Sequence, residues 1–194
     1  MNTIKERVEE KISDISSVEV MKITGEFVKL AAASMKKGKG DVSGSYASDA
    51  IGNAPDLLYD NLALVFRSWL SHGTVTRSLL ACAFMPLLKS SLKNPSETKS
   101  YRAIAGSFLW LKLFVKVILL VWGHLLTSGS LQMGYKRGSS TAQCSYIMME
   151  TITYFLNHGT HPIMVALDMS SAFDKCKFNV LFEKIEARLP VVVV

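Results

Sequence analysis

At 194 residues the chain is long enough for one or two domains with a sizeable core. Its composition, 49% hydrophobic and 20% charged, excludes a disordered tail. A net charge of +6 and a pI near 9.2 favour a polyanionic partner such as nucleic acid. Cys82, Cys144 and Cys176 are odd in number, widely spaced and form no Cys-x-x-Cys pair. Reduced thiols in an intracellular setting, cytoplasmic or nuclear, follow from that usage. The segment Lys5-Glu6-Arg7-Val8-Glu9-Glu10-Lys11 is too charged for a signal-peptide core, so secretion is not expected.

In chain order, Thr3-Ile4-Lys5-Glu6 fits a capping box, and Ile4, Val8, Ile12 and Ile15 recur at helical spacing. A second helix is predicted over Glu26 to Met35. The stretch from Met35 to Pro55 gathers Lys36, Lys37, Lys39, Asp41, Asp49 and a run of glycine and serine, a loop composition. Pro55 at a first helical position starts a helix with Leu58, Leu62, Val65, Phe66 and Trp69 on one side, and Gly73 ends it. Pro86 argues against a long helix over Ser78 to Lys89. The expectation there is a strand, Phe84 to Lys89, with Pro86 acceptable only at an edge. Ser90 to Ser100 is polar and makes a hairpin tip, and Tyr101 to Ile104 is the returning strand.

The most apolar stretch, Phe108 to Leu126, approaches membrane-span length. Lys112 and Lys116 lie one helical turn apart near its middle, and each costs roughly 2.5–3.5 kcal/mol at a bilayer centre. A buried core helix with one wet stripe is therefore favoured over a span. Thr141 to Asn157 is a further helix with Ile147, Met148, Thr151 and Phe155 facing inward, and Asn157-His158-Gly159 is its stop signal. Pro162-Ile-Met-Val-Ala-Leu167 reads as a strand. Phe178 to Arg188 is a last short helix before Pro190 and four valines. No internal repeat is present.

Asp168 is the first candidate for chemistry. Apolar and small residues precede it, so its carboxylate is expected at a strand end, where metal sites are commonly built. In nucleotidyl transfer two metal ions about 3.5–4 Å apart stabilise the attacking and leaving oxygens. Magnesium suits this role, because it accepts a few carboxylates and completes its shell with water and phosphate oxygens. Lys89 and Arg102 flank the predicted hairpin tip. Taken singly, each is more often a solvated surface charge, and Asp168 more often a cap or turn former.

Three segments in this order and spacing carry a family resemblance. They are Ser100-Tyr101-Arg102-Ala103-Ile104, Gln132-Met-Gly-Tyr-Lys-Arg-Gly-Ser-Ser-Thr141, and Leu167-Asp-Met-Ser-Ser-Ala-Phe-Asp174. Together they resemble the reverse transcriptases of LINE-type (non-LTR) retrotransposons, over roughly Met35 to Leu189. The resemblance implies an α+β fold: mostly helical fingers with a β-hairpin, then the first strand of a palm, an incomplete set. It divides the chain into an N-terminal helical extension (1–35), a fingers-like region (36–161) and the start of a palm (162–194). Asp168 becomes the catalytic, magnesium-binding carboxylate. Phe173 becomes the gate that excludes a ribose 2′-hydroxyl. Lys89, Arg102, Ser171, Ala172 and Phe173 line the deoxynucleotide triphosphate, and Met169 and Ser170 supply amides beside it. Gly134, Lys136, Gly138, Ser140 and Thr141 hold the template, feeding a helix whose N-terminus attracts phosphate. Met133 and Tyr135 stand where this family usually has Phe, and Lys136 where it more often has Arg. The implied partners are an RNA template, a DNA primer and deoxynucleotide triphosphates, and Asp168, Arg102 and Lys136 are expected to face one cleft.

The same family supplies a second carboxylate site as an aromatic-x-Asp-Asp hairpin. The chain holds seven aspartates, none adjacent. The expected function is thus a fragment resembling an RNA-directed DNA polymerase, a nucleotidyltransferase of a transposable element, inactive alone. The alternatives are a non-catalytic nucleic-acid-binding fragment and, less favoured, a membrane-associated helical protein.

Overall fold

The computed structural model of the chain describes residues 17–41, 44, 47–169, 172–173, 175–190 and 193. The predicted helix over Thr3 to Ile15 lies outside them. Two compact units emerge, one of Met1–Leu125 with Phe182–Val194, the other of Leu126–Leu181. The described elements make an α+β fold, mostly helical with a two-stranded antiparallel sheet.

In the first unit α1 (Ser17–Met21), α2 (Gly25–Ala33), α3 (Ser48–Gly52), α4 (Asp56–His72) and α5 (Arg77–Leu80) precede the sheet. Strands β1 (Cys82–Leu88) and β2 (Tyr101–Ser107) follow, then α6 (Leu109–Trp122). The core lies between α2, α4 and α6. On α4, Tyr59, Ala63, Phe66 and Leu70 are buried, the spacing of a single helical stripe. The stripe is turned slightly from the predicted one, because it follows Tyr59 and Ala63 rather than the bulkiest residues. Val65 stays exposed, while Leu62 and Trp69 flank the core. On α6, Leu109, Leu113, Val117 and Trp122 face in, and α2 adds Val28, Ala31 and Ala32. Phe66, Trp69 and Phe114 form a three-ring cluster with centroids 5.1–5.3 Å apart.

Polar ties fix the ends of these helices. Thr24 caps α2, its Oγ1 accepting from the Phe27 amide at 3.4 Å. Arg67 Nε donates to the Ile23 carbonyl at 2.6 Å, and the buried Tyr59 hydroxyl donates to the Ile51 carbonyl at 2.8 Å. Gly73 closes α4 in the left-handed region (φ 59°), and the Thr74 amide then reaches the Trp69 carbonyl at 3.1 Å. Pro55 caps α4 one residue ahead of its predicted place. The glycine-lysine stretch after Met35 is more ordered than its composition suggests. Buried Ser48 donates to the Lys36 carbonyl at 2.8 Å and accepts from the Lys39 amide at 3.2 Å. Asp49 accepts from the Gly38 amide at 2.8 Å, and α3 stands inside the predicted loop.

The hairpin forms as predicted, with Pro86 opposite Ala103 and Leu87 opposite Arg102. Helix α6 is the expected core helix, and Lys112 and Lys116 are half-buried on its wet side. Among the described residues no helix is long and apolar enough to cross a membrane.

The second unit contains α7 (Thr141–Asn157); the following helix, α8 (Phe178–Glu186), crosses the division between the units at Leu181. Helix α7 ends as predicted, with His158 as cap and Gly159 at φ 72°. Two expectations fail here. No residue of α7 is buried, Ile147, Met148, Thr151 and Phe155 included, because the described part of this unit offers no sheet to cover an apolar face. The segment from Pro162 to Leu167 is irregular, with Ile163 92% and Leu167 94% exposed. A strand needs a partner for its amides and carbonyls, and this segment pairs with none among the described residues. The last helix stops at Glu186, shortly before Pro190.

Phe66→Ala is expected to lower the unfolding free energy by about 3–5 kcal/mol, because it empties the centre of a fully packed ring cluster. Urea unfolding with a probe in the first unit measures this, and a loss below that of an exposed-residue control such as Leu64→Ala contradicts the packing.

A pH dependence follows from Glu19. A hydrogen bond from the Lys22 ammonium at 2.6 Å, then one from the Trp122 indole at 3.2 Å, hold its carboxyl below the usual glutamate range. A lowered folded-state pKa stabilises above the ordinary glutamate range and ceases to do so as pH falls through the lowered value. The stability advantage of wild type over Glu19→Gln should therefore shrink on acidification, as followed by urea unfolding at a series of pH values. An advantage that is flat with pH contradicts the assignment.

Candidate nucleic-acid interface

The hairpin sets two of the predicted cations side by side. Its ladder continues past β1, since the Lys89 amide donates to the Ser100 carbonyl at 2.8 Å. Side chains alternate across a strand, so Lys89 falls on the same face as Leu87, and Leu87 lies opposite Arg102. Lys89 and Arg102 are therefore diagonal neighbours on one face, a separation of roughly 7–8 Å. Lys89 Nζ donates back to the Lys99 carbonyl at 2.7 Å, which steadies it against the tip. Arg102 is exposed and has no carboxylate partner among the described residues. The tip itself is folded by local bonds: the Ser96 amide donates to Asn94 Oδ1 at 3.0 Å and the Tyr101 hydroxyl to the Pro95 carbonyl at 3.0 Å.

In the second unit the predicted template segment forms a knotted turn leading into α7. Ser140 and Gln143 make a reciprocal capping box at 3.2 and 2.9 Å. Gly138 takes φ 78°, a left-handed value, and the Ser139 amide donates to the Lys136 carbonyl at 3.2 Å. Lys136 Nζ reaches back to the Gly129 carbonyl at 3.3 Å. A cleft of about 570 Å³ opens between the turn and the first two turns of α7, bounded by Met133, Gly138, Ser139, Gln143 and Tyr146. Gly134 and Thr141 lie within the same turn and helix start, both exposed.

Tyr135 was not among the candidates drawn from the sequence. It is 99% exposed and adopts φ 58°, the one described non-glycine residue in the left-handed region. A tyrosine pays a steric cost there that glycine does not. Its place between Gly134 and Lys136 was visible in the sequence, but its backbone conformation was not.

The palm-like residues stand differently. Asp168 is exposed in irregular chain rather than at a strand end, and makes no hydrogen bond or ion pair among the described residues. Ala172 and Phe173 lie in a turn, with Phe173 80% exposed. Ser170, Ser171 and Asp174 lie outside the described residues. No group of three His, Cys, Asp or Glu side chains capable of holding a metal occurs among the described residues. One solvent-facing carboxylate does not by itself fix a metal pair. Lys89 and Arg102 belong to the first unit, and Lys136 and Asp168 to the second.

Ser140→Ala removes the cap of α7 and is expected to cost that helix end about 1 kcal/mol. Hydrogen exchange should quicken at Gln143 and Cys144 while the α4 amides stay unchanged. Equal protection in both proteins contradicts the role of the cap.

Comparison of the chain with protein-family models, with curated proteins and with solved structures gives no match.

Proposed function

We propose that the chain is a fingers-type nucleic-acid-binding module of an RNA-directed DNA polymerase of the non-LTR retrotransposon kind. It grips template and primer backbones through its basic loops and does not extend a primer by itself. One observation carries this reading: the β1–β2 hairpin presents Lys89 and Arg102 on one face, at the place where the resemblance puts a phosphate clamp. The turn from Gly134 to Thr141 supports it, with Lys136 and Arg137 beside an exposed aromatic ring that can stack on a base. Deoxynucleotide triphosphate and magnesium belong to the same proposal by resemblance alone. Asp168 and Phe173 take part in polymerisation only where further carboxylates and strands complete a palm around them. The net charge of +6 also fits a non-catalytic nucleic-acid binder, and the two readings part at primer extension.

The purified chain should bind single-stranded RNA with an affinity that falls as salt rises, because each phosphate contact releases counterions. Arg102→Ala and Lys136→Ala should each flatten the log–log salt dependence by about one contact. Primer extension on an RNA template, with magnesium and deoxynucleotides, should not exceed that of an Asp168→Ala control. Binding that ignores salt and both substitutions would sink the proposal, and extension above the control would overturn its catalytic half.

A further inference from the structure

The strongest unassigned feature is a cleft of about 480 Å³ within the first unit, beside the start of α6. Four lysines line it: Lys36 and Lys39 from the segment after α2, and Lys112 and Lys116 from α6. No aspartate or glutamate is among its lining residues. Its remaining wall is largely apolar, with Leu109, Leu111 and Val115. The volume falls in the range of small-molecule and cofactor sites, about 300–1,000 Å³.

The backbone that carries each lysine is fixed. Ser48 bonds the backbone of both Lys36 and Lys39, and Gly38, between them, is tied to Asp49. Lys112 and Lys116 are half-buried one turn apart on a core helix. Lys116 Nζ is already used, donating to the Ser34 carbonyl at 3.2 Å and to its hydroxyl at 3.0 Å. The ammonium groups of Lys36, Lys39 and Lys112 have no carboxylate partner among the described residues. Converging like charges around an apolar wall repel one another until an anion offsets them. Helix α6 adds to the field, because Phe108 gives its first turn no side-chain cap.

We infer that this cleft binds a nucleotide through its phosphates, with Lys36, Lys39 and Lys112 on the phosphate oxygens and the base against Leu109, Leu111 and Val115. The nucleotide is either free or the 5′ end of a strand. Lys89, Arg102 and Lys136 are not among its lining residues, and the site stands without the polymerase reading.

The test is calorimetric titration of the full chain with ATP, inorganic triphosphate, adenosine and a 5′-phosphorylated RNA oligonucleotide. ATP or the 5′-phosphorylated RNA should bind, each more tightly than inorganic triphosphate, and adenosine should not bind measurably. Lys39→Gln/Lys112→Gln should weaken that binding about tenfold or more, the loss of one or two charge-assisted contacts. Lys177→Gln, which removes an exposed charge outside the cleft lining, should leave ATP binding unchanged. ATP binding alone identifies a free nucleotide, and RNA binding alone, lost with the 5′ phosphate, identifies a strand end. Two results overturn the assignment: the double variant binding as wild type does, or triphosphate binding as tightly as ATP. Thermal unfolding of the double variant checks that it is folded, and Leu111→Asp provides a second variant that alters the wall without touching a lysine. Failure of this site with intact salt-dependent RNA binding leaves the proposed function standing, and the reverse result leaves this site standing.

Discussion

The packing of α4 and α6 against α2 is the constraint on which the first unit depends. Phe66 sits there fully buried, tilted against Trp69 and Phe114, and large aromatic surfaces are what a small unit has to exclude water. Helix α2 can close on this pair because its inward residues are Val28 and two alanines, which let the backbones approach. Gly25 belongs to the same arrangement: a Cβ there would meet the Asp60 side chain and lie 3.2 Å from its Cα. Once α6 is pinned by its buried side, the position of Lys112 and Lys116 on its other side is no longer free. The basic cleft is thus in part a by-product of core packing, with the cations of α6 placed by Leu113, Val117 and Trp122, which lie outside its lining.

The segment after Met35 shows a different economy. Its glycines and lysines give it little to bury, yet one buried hydroxyl, that of Ser48, makes two bonds to its backbone. A single side chain thereby converts a polar loop into a wall of fixed charge. The loops that carry Lys89 and Lys136 use the same device in reverse, since each ammonium folds back onto a carbonyl of its own turn.

Much of the first unit was legible because its signals are local. Pro55 and Gly73 bracket α4, the polar run from Ser90 to Ser100 separates two strands, and Lys112 with Lys116 marks the wet side of a core helix. What escaped depends on partners far along the chain. The apolar run from Pro162 to Leu167 has strand-like residues and no strand partner among the described residues, and α7 has an amphipathic pattern with no described layer beneath it. Of the candidate site, the hairpin cations were singled out by the family resemblance, and the pairing that sets them on one face was readable from the two apolar runs around a polar tip. The basic cleft was not, because the sequence separates Lys39 from Lys112 and only the fold brings the segment after α2 beside α6. The left-handed Tyr135 was invisible for another reason, as no side-chain pattern encodes a tyrosine in a conformation usually left to glycine.

Pro86 has a consequence beyond its tolerance in β1. The Lys89–Ser100 bond sets the phase of the ladder, so hydrogen-bonded pairs recur at Leu87–Arg102 and Met85–Ile104, and Pro86–Ala103 is a non-bonded pair. The nitrogen of Pro86 therefore points away from β2, toward the open margin of the ribbon. A foreign strand docking along that margin finds no donor at its midpoint, and the pyrrolidine ring occupies the approach. The ribbon exposes Phe84, Met85 and Leu87, which would otherwise invite self-association by sheet extension. One imino acid makes that edge a poor template for its own copies, while the opposite edge, along β2, is left open to growth.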